Sequence, residues 1–292
     1  MSFFRFSVVF AFCLMVSGCV SFDVTEDFWF NPGFAVLGSD ELREAERVLP
    51  GNPRLEVVRF AAADGTPLYG LHMQVDDARP TVLYFGGDVF RIARHGIDVL
   101  RDFARMNVNV LLVDYRGYGG SGGTPTLSAL HADALAAFEY LRDEIRADRI
   151  VLHGFSMGSF VASGLIDEVT PSALVLEATA TNVPDWADFQ VPWYAEPFVN
   201  FEIADTLLEQ DNRVRLQRYR GPLLLIAGAG DRITPPAMAR ELYEIAGTRD
   251  AEKRVLVSRV AHHGDAMQDS AIIEGYRAFL ERLAGPPPVA AQ

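Results

Sequence analysis

A chain of 292 residues with 49% hydrophobic content can bury one large core, and no polar low-complexity linker divides its middle. Against 26 basic residues stand 39 acidic ones, a net charge of −13 that repels nucleic-acid backbones; no basic stripe offsets it. Nucleic acid is therefore excluded as a partner, while the charge is otherwise mute about function.

Residues 1–18 read as an export signal. Arg5 lies in a short n-region, an apolar run covers 6–16, and the small residues Ser17 and Gly18 precede Cys19. The run is too short to span a bilayer, which takes about 20 residues. Val16-Ser17-Gly18-Cys19 resembles a bacterial lipobox, in which the cysteine becomes the lipidated first residue of the mature protein. Cleavage would remove Cys13 and leave Cys19 as the only thiol, so cysteine usage fits lipidation better than a disulfide or redox role. An uncleaved anchor or a soluble secreted form is the alternative. By resemblance to lipoprotein sorting, Val20 in place of an aspartate implies the outer membrane of a Gram-negative envelope, facing the periplasm.

Residues 19–54 read as a tether that packs on the body. Phe22, Phe28, Trp29, Phe30 and Phe34 are too many aromatics for a solvated linker, the alternative being a membrane-dipping patch. Helical spacing at 39–49 puts Leu42, Ala45, Val48 and Leu49 on one side, with Pro50-Gly51 as a stop. The main domain spans 55–284. Runs at 55–61 and 68–74 around Asp64-Gly65 predict an antiparallel hairpin. Apolar runs at 81–85, 109–114, 150–153, 173–177, 223–227 and 254–258 predict strands, and helical patterns cover 92–106, 127–146 and 271–283. A proline-rich flexible tail follows at 285–292. Continuous apolar strands alternating with helices mean an α/β fold, a mostly parallel central sheet with helices on both faces. Ligands in such sheets bind beyond the carboxyl ends of the strands, so each catalytic candidate should follow a strand.

The candidates do. Gly154-Phe155-Ser156-Met157-Gly158 follows the strand at 150–153 and runs at once into a helix. A strand that reverses so sharply exposes its central hydroxyl, and glycine fits the crowded flanks. The turn also places the hydroxyl at a helix N-terminus and leaves the Met157 N–H free for a developing oxyanion. The pentapeptide alone is a weak signal in a chain with 24 glycines. Asp231 follows the strand at 223–227, and His263, beside His262, follows that at 254–258. A serine hydroxyl needs an imidazole to take its proton, and the imidazole needs a carboxylate to fix its tautomer. Glu177, which also ends a strand, is the rival acid. His72, His95, His131 and His153 read as structural.

Leu83-Tyr84-Phe85-Gly86-Gly87-Asp88 and the run from Asp114-Tyr115-Arg116-Gly117-Tyr118 through Gly119-Gly120-Ser121-Gly122-Gly123-Thr124-Pro125 complete a pattern. From about residue 55 to 283 the chain resembles the alpha/beta-hydrolase superfamily, in its compact branch related to serine-aminopeptidase-like hydrolases. The resemblance implies Asp231 as the acid. It also implies His263 as the base, because His263-Gly264-Asp265 matches the branch's His-x-Asp, with Asp265 supporting the loop. Asp88 then supplies a second oxyanion N–H. Here the chain departs from the branch, since a carboxylate replaces the usual amide, and its charge would oppose an oxyanion. The side chain is expected to turn away toward Arg91 or Arg94.

Residues 178–219 form the short cap insertion, with Trp186, Phe189, Trp193, Tyr194, Phe198 and Phe201. They either line an acyl site or pack the cap onto the sheet, over a fairly open site. The reading that results is a lipid-anchored serine hydrolase of small-molecule acyl substrates, needing no cofactor or metal. A peptidase of the same fold and a non-catalytic envelope binding protein are the alternatives.

Overall fold

The computed structural model describes residues 20–283; the expected signal at 1–18, Cys19 and the tail at 285–292 lie outside them. Each apolar run of the body becomes a strand. The N-terminal segment holds β1 (Val20–Val24) and β2 (Gly33–Phe34), and the hairpin is β3 (Arg54–Ala61) with β4 (Pro67–Gln74). There follow β5 (Thr81–Phe85), β6 (Asn109–Asp114), the two-residue β7 (Tyr118–Gly119), β8 (Ile150–Phe155) and β9 (Ala173–Glu177). The cap carries β10 (Val199–Ile203), and β11 (Leu223–Gly228) and β12 (Lys253–Ser258) complete the series.

The central sheet has eight strands in the order β12-β11-β9-β8-β5-β6-β4-β3. The pairs from β12 through β6 are parallel, whereas β4 is antiparallel to both β6 and β3. Side chains alternate across a strand, and both sides here are dry. Leu83, Leu152, Leu174 and Leu225 join one core with the helices Leu127–Asp143, Gly158–Gly164 and Pro236–Ile245. Val82, Val151, Val175 and Leu224 join the other, with Ser39–Val48, Ile97–Met106 and Ser270–Leu283. This is the expected α/β architecture. Each leucine so buried contributes about 2 kcal/mol relative to exposure, which is why the sheet, and not the loops, fixes where the carboxyl ends stand.

Two helices differ from expectation. The pattern at 127–146 ends as a helix at Asp143, because Arg146 takes a left-handed φ of 61° and the chain turns toward β8. The pattern at 92–106 starts with a widened π-type turn, Ile92–Gly96, before the regular helix. Its first N–H, that of Ile92, goes to the buried carboxylate of Asp114 at 2.8 Å.

The N-terminal segment is a strap, which no periodicity announces. β1 pairs in parallel with β10 of the cap, and β2 with β7. Arg91 holds the strap from below, donating to the carbonyls of Asn31, Gly33 and Val89 with its guanidinium over the Tyr118 ring. The aromatics divide in two: Trp29 is buried against Phe160 and Trp186, while Phe28 and Phe34 stay exposed. Among the described residues no helix is long and apolar enough to cross a membrane.

Candidate active site

β8 ends in the serine turn, and the crowding there dictates its residues. A Cβ on Gly154 would sit 2.2 Å from the Gly158 carbonyl oxygen, and one on Gly158 would sit 2.1 Å from that of Phe85. Only glycine is admitted at either place. Ser156 itself is held at φ 53°, a left-handed conformation that a serine adopts at some cost. The hydrogen bond from its N–H to the Glu177 carbonyl of β9, at 2.9 Å, supports it.

Strand ends bring three distant residues together. The Ser156 hydroxyl donates to Nε2 of His263 at 3.1 Å, and His263 Nδ1–H donates to Oδ2 of Asp231 at 2.9 Å. Asp231 is buried. Burial would raise its pKa, but the hydrogen bond and charge of His263, then the N–H groups of Thr234 and Ile233, outweigh it and leave the carboxyl below its ordinary value. The Thr234 hydroxyl donates to the same Oδ2 at 2.8 Å, and the Ile233 and Thr234 N–H groups hold Oδ1 at 2.8 and 3.0 Å. Asp231 therefore stays ionised and fixed, as a partner for an imidazolium must.

The alternatives fall elsewhere. The His262 side chain faces solvent, and its N–H is held by Asp265 Oδ1 at 2.6 Å, which braces the loop. Glu177 is buried beneath the turn, accepting from His153 Nε2 at 3.1 Å, while the Tyr276 hydroxyl donates to His153 Nδ1 at 3.1 Å. It does not reach His263.

Among the described residues the N–H of Met157 meets no acceptor, consistent with a free oxyanion donor. A Cβ on Gly87 would press to 3.3 Å on the Phe155 ring and lie 3.5 Å from the Ser156 Cβ, so this loop runs close beside the serine turn. The expected turn of Asp88 toward an arginine does not occur. Arg91 is spent on the strap, and neither it nor Arg94 forms an ion pair with Asp88. Asp88 is exposed as a residue, yet partial desolvation of its carboxyl raises its pKa; the N–H groups of Val89 and of Asp88 itself, then His263, pull the other way.

Sequence reasoning passed over two residues. Thr234 stands in Gly230-Asp231-Arg232-Ile233-Thr234-Pro235, where its spacing of three from the acid was the available signal. Gln190 of the cap donates to the Ile233 carbonyl at 3.1 Å and ties the cap to the acid loop; nothing in the sequence marks it. The cap aromatics neither all line the site nor all pack. Trp186 and Phe201 are partly buried, but Phe189, Trp193 and Phe198 face solvent.

A protein of Arabidopsis thaliana described as alpha/beta hydrolase domain-containing protein WAV2 is 30% identical over 216 residues, covering 68% of each chain. The chain belongs to the alpha/beta-hydrolase family. Within it, the family model Hydrolase_4, serine aminopeptidase, S33, matches residues 93–211, a stretch that includes Ser156 but stops short of Asp231 and His263. The lysophosphatidylserine lipase ABHD12 of Rattus norvegicus is 27% identical over 199 residues, covering 64% of this chain and 50% of that one. The chain spans 62% of the length of uncharacterised Mycobacterium tuberculosis relatives that it matches at 33% identity. An esterase of Pyrococcus furiosus superposes with a TM-score of 0.68 over 88% of this alpha/beta hydrolase and 98% of its own chain, at 22% identity. That likeness speaks for the fold.

Proposed function

We propose that this alpha/beta hydrolase is a serine hydrolase that cleaves carboxylic esters through an acyl-enzyme. The observation that carries the reading is the unbroken relay Ser156–His263–Asp231, at 3.1 and 2.9 Å, above one end of the sheet. Ser156 attacks the carbonyl carbon as its proton passes to Nε2 of His263. The oxygen that gains the charge is met by the N–H groups of Met157 and Asp88. His263, now an imidazolium steadied by Asp231, returns the proton to the leaving alkoxide, and the C–O bond breaks. Water, deprotonated by the same ring, then attacks the acyl-enzyme and frees the acid.

Ester chemistry is supported by the lipase among the relatives, and thioesters fall to the same attack. A second reading, cleavage of amides or peptides, is favoured by the aminopeptidase description of the matching family model. We place the enzyme in a bacterial envelope, held by a lipid on Cys19, with the outer membrane facing the periplasm as the expected address. Support comes from the Val16-Ser17-Gly18-Cys19 sequence. The test is labelling by a fluorophosphonate probe. Labelling of the wild type that disappears in Ser156→Ala supports the serine enzyme, and an unlabelled wild type leaves a non-catalytic binding protein. A p-nitrophenyl ester series against aminoacyl arylamides separates esterase from peptidase, and mass spectrometry of Cys19 tests the anchor.

A further inference from the structure

Phe155 is the last residue of β8 and the one before the nucleophile. Side chains alternate along a strand, and Gly154 faces the helix Gly158–Gly164, so the Phe155 ring goes to the opposite face and packs on the second core. Two loops close on it there. A Cβ placed on Gly87, beside Asp88, would come 3.3 Å from Cε1 and 3.4 Å from Cδ1 of the ring. One placed on Gly264, beside the base, would come 3.3 Å from Cζ and 3.9 Å from Cε2. The oxyanion loop therefore meets one edge of the phenyl group and the histidine loop meets its far end. The imidazole of His263 lies against the same ring, with centroids 5.2 Å apart and planes inclined by 45°.

That ring contact supplies what the hydrogen bonds leave open. Asp231 fixes Nδ1 at 2.9 Å and Ser156 lies 3.1 Å from Nε2. An imidazole held only at its two nitrogens can still rock about the line that joins them. A hydrogen bond weakens steeply as it bends, and the serine proton has to pass to Nε2 along one. We infer that Phe155 is a positioning residue for the proposed hydrolysis, a spacer whose width sets the base loop apart from the oxyanion loop and whose ring keeps the imidazole from rocking. It acts through His263 and Gly87. The inference rests on the serine-hydrolase reading and deepens it. The place suits the task, because β8 is paired on one side with β5, which leads into the oxyanion loop, and on the other with β9. A displacement of about 1 Å in a reacting group can cost about 100-fold in rate, so losing part of this spacer is expected to show in kcat.

The test combines two substitutions in the full chain and reads kcat and KM on p-nitrophenyl butyrate, with urea unfolding alongside. Phe155→Leu keeps an apolar side chain at the end of β8 but removes the outer ring atoms that reach Gly264. Its kcat should fall about tenfold with KM within about twofold of the wild type. Gly87→Ala alone should lower kcat about threefold, because the added methyl group presses the ring toward the base loop. Gly87 has no left-handed φ, so backbone strain does not enter. In the Phe155→Leu background the same methyl group meets vacated space, and there Gly87→Ala should raise kcat about threefold. That change of sign is the mark of a spacer. Losses that simply multiply, or a Phe155→Leu protein that is less stable to urea with kcat unchanged, would make the ring ordinary packing. Should Phe155→Leu fail to fold, Gly87→Ala alone decides, and an unchanged kcat there overturns the inference. A wild type that no fluorophosphonate labels ends the hydrolase reading and this inference with it, whereas a labelled wild type with no change of sign ends this inference alone.

Discussion

Ser156 and Glu177 are joined through the backbone, the serine N–H donating to the glutamate carbonyl at 2.9 Å, while the Glu177 carboxylate lies on the far side of the turn against His153. A single tautomer of His153, with the proton on Nε2, satisfies both Glu177 and Tyr276. Glu177 is thus a brace under the nucleophile, and its carboxylate takes no part in the relay. Glu177→Gln keeps an acceptor for His153 and should keep esterase activity within about threefold, whereas Asp231→Asn should lower it about 10,000-fold. His153→Ala strands a buried carboxylate and should cost about 3–5 kcal/mol in urea unfolding. A collapse of activity in Glu177→Gln with unchanged stability would reassign the acid.

Thr234 places its hydroxyl 2.8 Å from Asp231 Oδ2, the oxygen that also receives the His263 proton donor. Thr234→Val removes that donor while keeping the shape. The carboxylate should lose about 1 kcal/mol of support, and kcat for p-nitrophenyl esters should fall about fivefold with KM little changed. Thr234→Ser should restore most of it. Equal activity in the valine and threonine forms would make the hydroxyl a spectator.

Whatever depends on burial was legible. Strands buried on both faces have to be continuous apolar runs, so β5, β6 and β9 lie where the runs do, and Ser156, Asp231 and His263 each follow a strand. What depends on long-range backbone pairing was not. β1 and β2 have no alternation to read, because the cap and β7 supply their partners, and Phe34 can be exposed in a segment whose neighbour Trp29 is buried. The departure at Asp88 could be seen as a charge in the wrong place. Its freedom from Arg91 could not, since the demand on that guanidinium comes from carbonyls of Asn31 and Gly33, about 60 residues away in sequence.

Asp102, on the helix Ile97–Met106, has its pKa raised to about 6, first by burial and then by the charge of Glu177. A carboxyl whose folded pKa lies above its ordinary value binds its proton more tightly in the native state. The penalty is absent below the ordinary range near 4, grows between pH 4 and 6, and is complete above 6. Asp102→Asn removes it and loses only a 3.6 Å contact with Arg105. We expect a net gain of about 1 kcal/mol at pH 8, or about 2–4 °C in Tm, and none at pH 4. Melting curves for both proteins across that range check the sign, and a gain that is constant with pH would locate its cause elsewhere.

Asp88 is the second oxyanion donor of the proposed mechanism, and among the described residues no arginine forms an ion pair with its carboxylate. Its raised pKa records the cost of a negative charge in that setting. An amide in its place would keep the backbone donor and remove the competing charge. Asp88→Asn should therefore raise kcat for a p-nitrophenyl ester about three- to tenfold at alkaline pH, equal to about 0.7–1.4 kcal/mol of barrier. The ratio of variant to wild type should shrink as pH falls and the wild-type carboxyl takes up its proton. A ratio of one at every pH would mean that the carboxylate swings clear when substrate binds. A ratio below one would give the charge a task in the reaction, such as steering water to the acyl-enzyme.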